Sequence, residues 1–382
     1  MCANPKWLPS GRGRPWPGAA LLVLALLCIL GCSNASARLS ISPGATIVRK
    51  ATAVGGRDVL EIEAQAGQTL LLGLNNGPEY TEYSDERGRR GEVRVIAPGD
   101  SESRVLPSEE RSDSECGTWI NVLPKTGLYR LLVRWPSNKP YVLRITLMDS
   151  RDPRLDAGIT ADRISIDWST LGAPVALTLQ PFEPVVFGFV DDFRPAHLAA
   201  TTSSFEFRIM ALDGIKKMQS DATLWSQGIT RLESALRANS GPVPPDLLPL
   251  SGYQDAGIAF WGRQERLEGR TWVGMRWLGW YTQGGVGDAA DPIPLNYVFE
   301  AISRDGRYFI MMFADILFSN PPAELLRTVK VLNDPGPSAE AWEARMRALQ
   351  PQVGRYLDEA GPDSFTPSIR QFDALARSIE LK

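Results

Sequence analysis

The sequence predicts an α+β protein in two parts: an N-terminal all-β sandwich, then an α+β domain with an antiparallel meander and packed helices. Three observations predict it. Short apolar runs recur between turn residues from about 45 to 150. Long alternating stretches, the mark of strands, lie between 257 and 313. Helical spacing of apolar residues marks Asp221–Ala238, Ala339–Glu359 and Ser368–Glu380.

Ahead of both parts stands a leader. Residues 1–18 carry Lys6, Arg12 and Arg14 and no acid, and Ala19 to Leu30 is an unbroken apolar run. Twelve residues are too few to cross a bilayer core, which takes about 20, but they suit the apolar region of a secretory signal. Ile29-Leu30-Gly31-Cys32 resembles the lipobox of bacterial lipoproteins, with Leu30 where a small residue is commoner. The resemblance implies cleavage after residue 31 and a lipid on Cys32. Two or three acyl chains, at about 0.8 kcal/mol per buried methylene, hold a protein stably on a bilayer. Ser33 after the Cys, by likeness to Gram-negative sorting, favours the outer membrane. Ala35-Ser36-Ala37 offers a rival cut that would release a soluble protein. Residues 32–44 read as a polar tether.

Of 382 residues, 351 follow residue 31, enough for two domains. The leader holds three of the 41 basic residues and none of the 44 acidic ones, so the remainder carries about −6. That balance argues against nucleic acid, whose phosphates require a basic face. Of four cysteines, Cys2 and Cys28 lie in the leader and Cys32 takes the lipid. Cys116 is left alone, read as a buried thiol, with no intrachain disulfide possible.

In the first domain, 45–150, Val59–Ala64 alternates, Ala66-Gly67-Gln68 turns, and Thr69–Leu74 reads as a buried strand. Glu92–Ala97 follows, then a polar acidic loop over 99–117, Thr118–Val122, a turn at Leu123–Gly127, and strands Leu128–Trp135 and Tyr141–Leu147. The motifs Ala66-Gly67-Gln68-Thr69-Leu70, Leu123-Pro124-Lys125-Thr126-Gly127-Leu128-Tyr129 and Tyr141-Val142-Leu143-Arg144-Ile145 resemble those of the bacterial pre-peptidase C-terminal (PPC) domain. Order and rough spacing agree over some 100 residues, although Leu128 replaces the family's usual Asp. The resemblance implies a jelly-roll-like accessory module without catalytic residues, and fold alone carries little function.

Asp149–Arg154 reads as a linker to a second domain, 155–382. Strands are expected at Ile164–Trp168, Val175–Leu179, Pro184–Val190 and Phe205–Leu212, followed by a helix that Asp221 can cap. The meander comprises Gly257–Leu267, Thr271–Tyr281, Leu295–Ser303 and Tyr308–Phe313, the last pair joined by an Asp305-Gly306 hairpin turn. Pro195-Ala196-His197, Pro244-Pro245, Gly274, Arg276, Tyr281, the run Leu295–Tyr308 and Phe365, Pro367 and Ser368 resemble a group of uncharacterised exported bacterial lipoproteins. That likeness implies architecture and compartment only.

The chemistry-bearing residues are few. His197 is the one histidine, so a His–His metal site is excluded. Asp191 and Asp192 are near it, but no Gly-x-Ser-x-Gly elbow supplies a nucleophile; His197 reads as a turn residue bonding the backbone. Glu61 and Glu63 share a strand face, a cation ligand pattern that solvent-facing alternation explains as well. Gly284-Gly285-Val286-Gly287-Asp288 lacks the Lys of a phosphate loop. On 271–281, Trp272, Arg276, Leu278 and Trp280 share one face and Val273, Met275, Trp277 and Tyr281 the other. Aromatics on both faces argue for cover on both sides. Were the first face an open groove, Trp272 and Trp280 would stack on a sugar or apolar partner and Arg276 would pair an anion.

These residues lead to an exported, lipid-anchored envelope protein with a non-catalytic binding or scaffolding role toward a protein or glycan partner, needing no metal or cofactor. The alternatives are a cell-wall glycan hydrolase or transferase using a carboxylate pair, and a soluble secreted factor of the same domains.

Overall fold

A computed structural model describes residues 36–382 except 52–55, 76–90, 108–117, 136–140, 173–174, 181–182, 188–189, 218–223, 239–256, 283–291 and 331–338. It divides into two compact units, with the boundary between Ser150 and Arg151.

The first unit contains β1 (Ala37–Leu39), β2 (Thr46–Ala51), β3 (Arg57–Ala64), β4 (Thr69–Asn75), β5 (Glu92–Ile96), β6 (Val105–Leu106), β7 (Thr118–Val122), β8 (Gly127–Arg134) and β9 (Tyr141–Met148). They form two sheets, β1-β3-β8-β5-β6 and β2-β9-β4-β7. The alternation read at 59–64 is realised: Leu60, Ile62 and Ala64 point into a core shared with Leu70, Leu72, Tyr129, Leu131, Leu143 and Ile145. The family-like motifs are bonded to each other. Gly67 N–H donates to Leu123 O (2.8 Å), Leu123 N–H to Gln68 O (2.8 Å) and Ala66 N–H to Thr126 Oγ1 (3.0 Å). The Tyr129 hydroxyl donates to Lys125 O (2.6 Å) and accepts from Lys125 N–H (3.0 Å), which closes the Leu-Pro-Lys-Thr-Gly turn over the core. Gly127, at φ 141°, takes a conformation that favours glycine.

One expectation changes here. The described part of the supposed tether belongs to the sandwich: β1 pairs in parallel with β3, and Ala37, Leu39 and Ile41 pack against the core.

The second unit contains β10 (Ile164–Ser165), β11 (Thr178–Gln180), β12 (Glu183–Phe187), β13 (Val190–Arg194), β14 (His197–Thr201), β15 (Phe205–Ala211), α1 (Leu212–Lys216) and α2 (Leu224–Ala238). The meander β16 (Gly257–Glu268), β17 (Trp272–Thr282), β18 (Ile293–Ser303) and β19 (Tyr308–Phe318) comes next. It is followed by α3 (Ala323–Lys330), α4 (Ala339–Glu359), β20 (Phe365–Thr366), α5 (Ile369–Arg377) and β21 (Glu380–Leu381). An eight-stranded sheet, β11-β14-β15-β19-β18-β17-β16 with β20 on β19, is its centre. On one face Trp272, Leu278 and Trp280 meet Leu325 and Val329 of α3, Val353 and Leu357 of α4, and Phe372 and Leu375 of α5. On the other, Met275 and Trp277 meet Ile215 of α1 and Ile229, Leu232 and Leu236 of α2. The unit is thus a sheet covered by helices on both faces, an α+β layer.

Here too the sequence reading needs correction at particular points. The segment taken as a linker opens the second unit, because Arg154 buries a two-pronged ion pair with Asp152 (2.9 and 2.7 Å) and its carbonyl accepts from Ala196 N–H (2.7 Å). The strand expected over 164–168 stops at Ser165, and a 3-10 turn over Trp168–Leu171 starts on an Asp167 cap. The expected strand 184–190 is a hairpin of two, β12 and β13. Asp221 lies outside the described residues. The sequence reading also passed over β14 and α3.

Candidate functional site

Trp272, Arg276 and Trp280, the candidate groove residues, are 0%, 1% and 4% exposed. Alternation puts them on one face, as expected, but α3, α4 and α5 cover that face, so they form no open stacking platform. Trp272 lies edge-on to Phe299 at 5.0 Å, and its Nε1–H donates to Ile379 O (3.0 Å). Trp280 leans on Phe260 at 6.0 Å.

Arg276 instead organises an internal cluster. Its Nε and Nη2 donate to Asp373 of α5 (3.2 and 3.3 Å), Nη2 also reaches Glu265, and Nη1 donates to Arg263 O. Tyr297 of β18 donates its hydroxyl to the same Asp373 Oδ1 (2.9 Å). Burial first, and then the Asp373 charge, hold the Tyr297 phenol well above its ordinary pKa, so it stays a donor. A buried guanidinium requires a carboxylate partner, and Asp373 supplies it from within the apolar set Ile369, Phe372, Leu375 and Ala376. The cluster reaches the surface at Glu265, whose side chain is 51% exposed and lies 3.9 Å from Arg377.

Beside it, β16 bulges. The pairing register slips between Gly262 and Glu265, and Arg263 takes φ 53°. A left-handed non-glycine residue costs about 1–3 kcal/mol and persists only where the surroundings hold it. Asp358 accepts from Arg263 N–H, and Arg276 donates to its carbonyl. Burial, and then the neighbouring Arg276 charge, lower the Arg263 pKa. Asp358 belongs to a stripe on α4. Gln350, Gly354 and Asp358 follow at intervals of four and so share one helix face. The Gln350 side chain accepts from Trp261 N–H (3.0 Å) and donates to Trp261 O (2.7 Å), as a further strand would. At Gly262 an added Cβ would lie 2.8 Å from Leu357 Cβ and 2.9 Å from Gly354 O, so the approach of α4 to β16 needs a residue without one. This arrangement occupies the edge of the sheet that would otherwise offer unpaired backbone groups.

The other candidates are dispersed. His197 is buried at the start of β14 with Nδ1 2.8 Å from Pro195 O. Glu63 pairs with Arg38 at 2.8 Å on the sandwich surface, and Glu61 lies opposite Arg130. Among the described residues no group of three or more His, Cys, Asp or Glu side chains is placed to hold a metal ion, and no helix is long and apolar enough to cross a membrane. Cys32, Cys116 and Gly284–Asp288 lie outside the described residues. Sequence reasoning missed Asp373, Tyr297 and Glu265. The available signal was Arg276 itself, a cation between two tryptophans on a strand face, which demands an anion from elsewhere in the chain.

No family model matches the sequence, and no curated protein matches it. Solved structures that match include PliG, a periplasmic inhibitor of g-type lysozyme, from Aeromonas hydrophila (19% identity, 29% of this chain, 96% of that one, TM-score 0.21). The Salmonella Typhimurium PliG matches similarly (18% identity, 29% and 99%, 0.21). So does the pre-peptidase C-terminal domain of a Bacillus anthracis collagenase (12% identity, 31% and 99%, 0.22). Likenesses at these scores carry no argument about what this chain does.

Proposed function

We propose that the protein is an exported envelope lipoprotein, anchored through Cys32, that binds or scaffolds a protein or glycan partner without catalysing a reaction on it. The observation that carries the reading is the leader: a basic start, the apolar run Ala19–Leu30, and Gly31-Cys32 directly at its end. The buried polar groups support a structural role for the described units. Arg276 is consumed by Asp373 and Glu265, and Arg154 by Asp152. Ser33 supports sorting to the outer membrane.

Radiolabelled palmitate feeding and fractionation of wild type and Cys32→Ala test the anchor. Wild type should take up label and float with outer-membrane vesicles, and the variant should do neither. Equal membrane association of Cys32→Ala would sink the reading. Co-sedimentation with purified peptidoglycan sacculi separates glycan from protein partners, and release of soluble fragments from those sacculi would favour a hydrolase.

A further inference from the structure

Where β18 begins and β19 ends, the sheet of the second unit is covered on one face and open on the other. Ile316 and Phe318 of β19, with Ile293 and Leu295 of β18, are buried on the face of α3, α4 and α5. On the opposite face the core formed with α1 and α2 takes in Met311 and fades at Phe313, which is half-buried. Beyond Phe313, Asp315 and Leu317 are exposed. Pro294, opposite Leu317, is exposed as well, and Asn296, opposite Asp315, is half-buried. Thr366 of β20 pairs with Leu317 from the other side and is also exposed. Cross-strand partners and residues two apart share a face. These six side chains therefore form one patch, about 13 Å along β19 and about 10 Å across three strands.

An open sheet face ordinarily carries polar residues, yet here Leu317 is 41% exposed. Asp315 stands between Leu317 and Phe313. Its carboxylate accepts from Asn296 Nδ2 (2.9 Å) and has no cationic partner among the described residues. Glu206, opposite Phe313, is by contrast bonded to Arg208. Burial by its neighbours pushes the Asp315 carboxyl up, and the Asn296 bond offsets only part of this. An anion without a counter-ion, flanked by apolar side chains, complements a cation on an aliphatic stem. Arg and Lys lay their methylenes on apolar surface and present a charged head, and Arg can bond a carboxylate with two parallel N–H groups. A sugar is matched less well. Trp277 on the same face is fully buried and Phe313 half-buried, so no exposed ring is offered for stacking among the described residues of this face.

Resting on the partner-binding reading above, we propose that this patch docks a basic segment of a protein partner, with an Arg or Lys head on Asp315 and its stem across Leu317 and Phe313. Asn296 orients the carboxylate from the neighbouring strand. Because Asp315 is exposed, the docking weakens as salt is added.

The test titrates the full-length protein in detergent micelles with tetra-arginine, read by NMR at the Leu317 methyls and the Asn296 side-chain amide. Tetra-arginine should shift both saturably, and tetra-citrulline, its uncharged analogue, should shift neither. Asp315→Asn keeps the shape and an acceptor for Asn296 and should weaken binding about tenfold. Glu63→Gln, which removes an exposed acid of the first unit, should leave it unchanged. Equal binding by Asp315→Asn, or no shift at Leu317 and Asn296, would overturn this docking face alone. Shifts with chitotetraose in place of tetra-arginine would overturn the basic partner and make the face a glycan site. Wild type that crosslinks to no partner in intact envelopes would overturn the partner-binding reading, and this face with it.

Discussion

Replacing Asp373 by Ala isolates the bond that fastens α5 to the sheet. Arg276 is 1% exposed, so its charge cannot turn to water when the carboxylate is removed. Breaking a buried ion pair by deleting one partner costs about 3–5 kcal/mol. Glu265 still touches Arg276 from a half-exposed position and offsets part of this. The fully buried Tyr297 hydroxyl loses its acceptor as well, worth about 1–3 kcal/mol. The expected loss is about 4 kcal/mol for the second unit. With a urea slope of about 2.5 kcal/mol/M, the midpoint falls by about 1.6 M. Tryptophan emission during urea titration follows this through Trp272, Trp277 and Trp280 in that unit's core, while Trp119 and Trp135 report the first unit. Asp373→Asn keeps an acceptor for Tyr297 and should cost less. The double variant Arg276→Met, Asp373→Leu removes both charges and should be milder than Asp373→Ala alone. A loss below about 1 kcal/mol for Asp373→Ala, or a double variant no milder than the single, would refute the clamp.

Gln350→Ala should leave Trp261's backbone groups unpaired at the edge of β16, costing about 1–3 kcal/mol and raising self-association measured by light scattering. Gly274→Ala would place a Cβ 2.5 Å from Ala301 Cβ and 2.6 Å from Glu300 O, so thermal unfolding should show about 1–3 kcal/mol of overpacking. Tyr129→Phe should cost the sandwich about 1–2 kcal/mol by opening the Lys125 turn, seen as amide exchange at Lys125 and Gly127. Burial raises the Asp152 pKa, but the Arg154 bonds outweigh it and the net value falls below the ordinary one. Its contribution is then complete above the unfolded pKa, about 3.9, and disappears as pH falls through the lowered folded value. Asp152→Asn should weaken the second unit at neutral pH and flatten its loss of stability below about pH 4, checked by denaturation across pH.

The meander was legible because its cues are local. Alternation over 271–281 assigns each side chain to a face, and the structure keeps that assignment: Trp272, Leu278 and Trp280 on one side, Met275 and Trp277 on the other. The helix expected at Ala339–Glu359 has those bounds in the structure. β1 was not legible, since three residues beside a polar run carry no periodicity; only pairing with β3 makes them a strand. Asp152 and Arg154 looked like linker residues because charged side chains near a proline usually face water, and it is their mutual pairing that permits burial.

The sequence by itself determined the order of the long meander strands, the helix over Ala339–Glu359, and the face on which Trp272, Met275, Trp277, Leu278 and Trp280 lie. All three depend on chain-local chemistry: turn residues, and periods of two and 3.6. Only the tertiary structure decided that the face of Trp272, Arg276 and Trp280 is closed. Alternation cannot say whether a face is covered, and the carboxylate that lets Arg276 be buried comes from Asp373, 97 residues further along the chain. Only the fold, again, made Ala37–Leu39 a strand, because a parallel strand takes its partner, here β3, from elsewhere in the sheet.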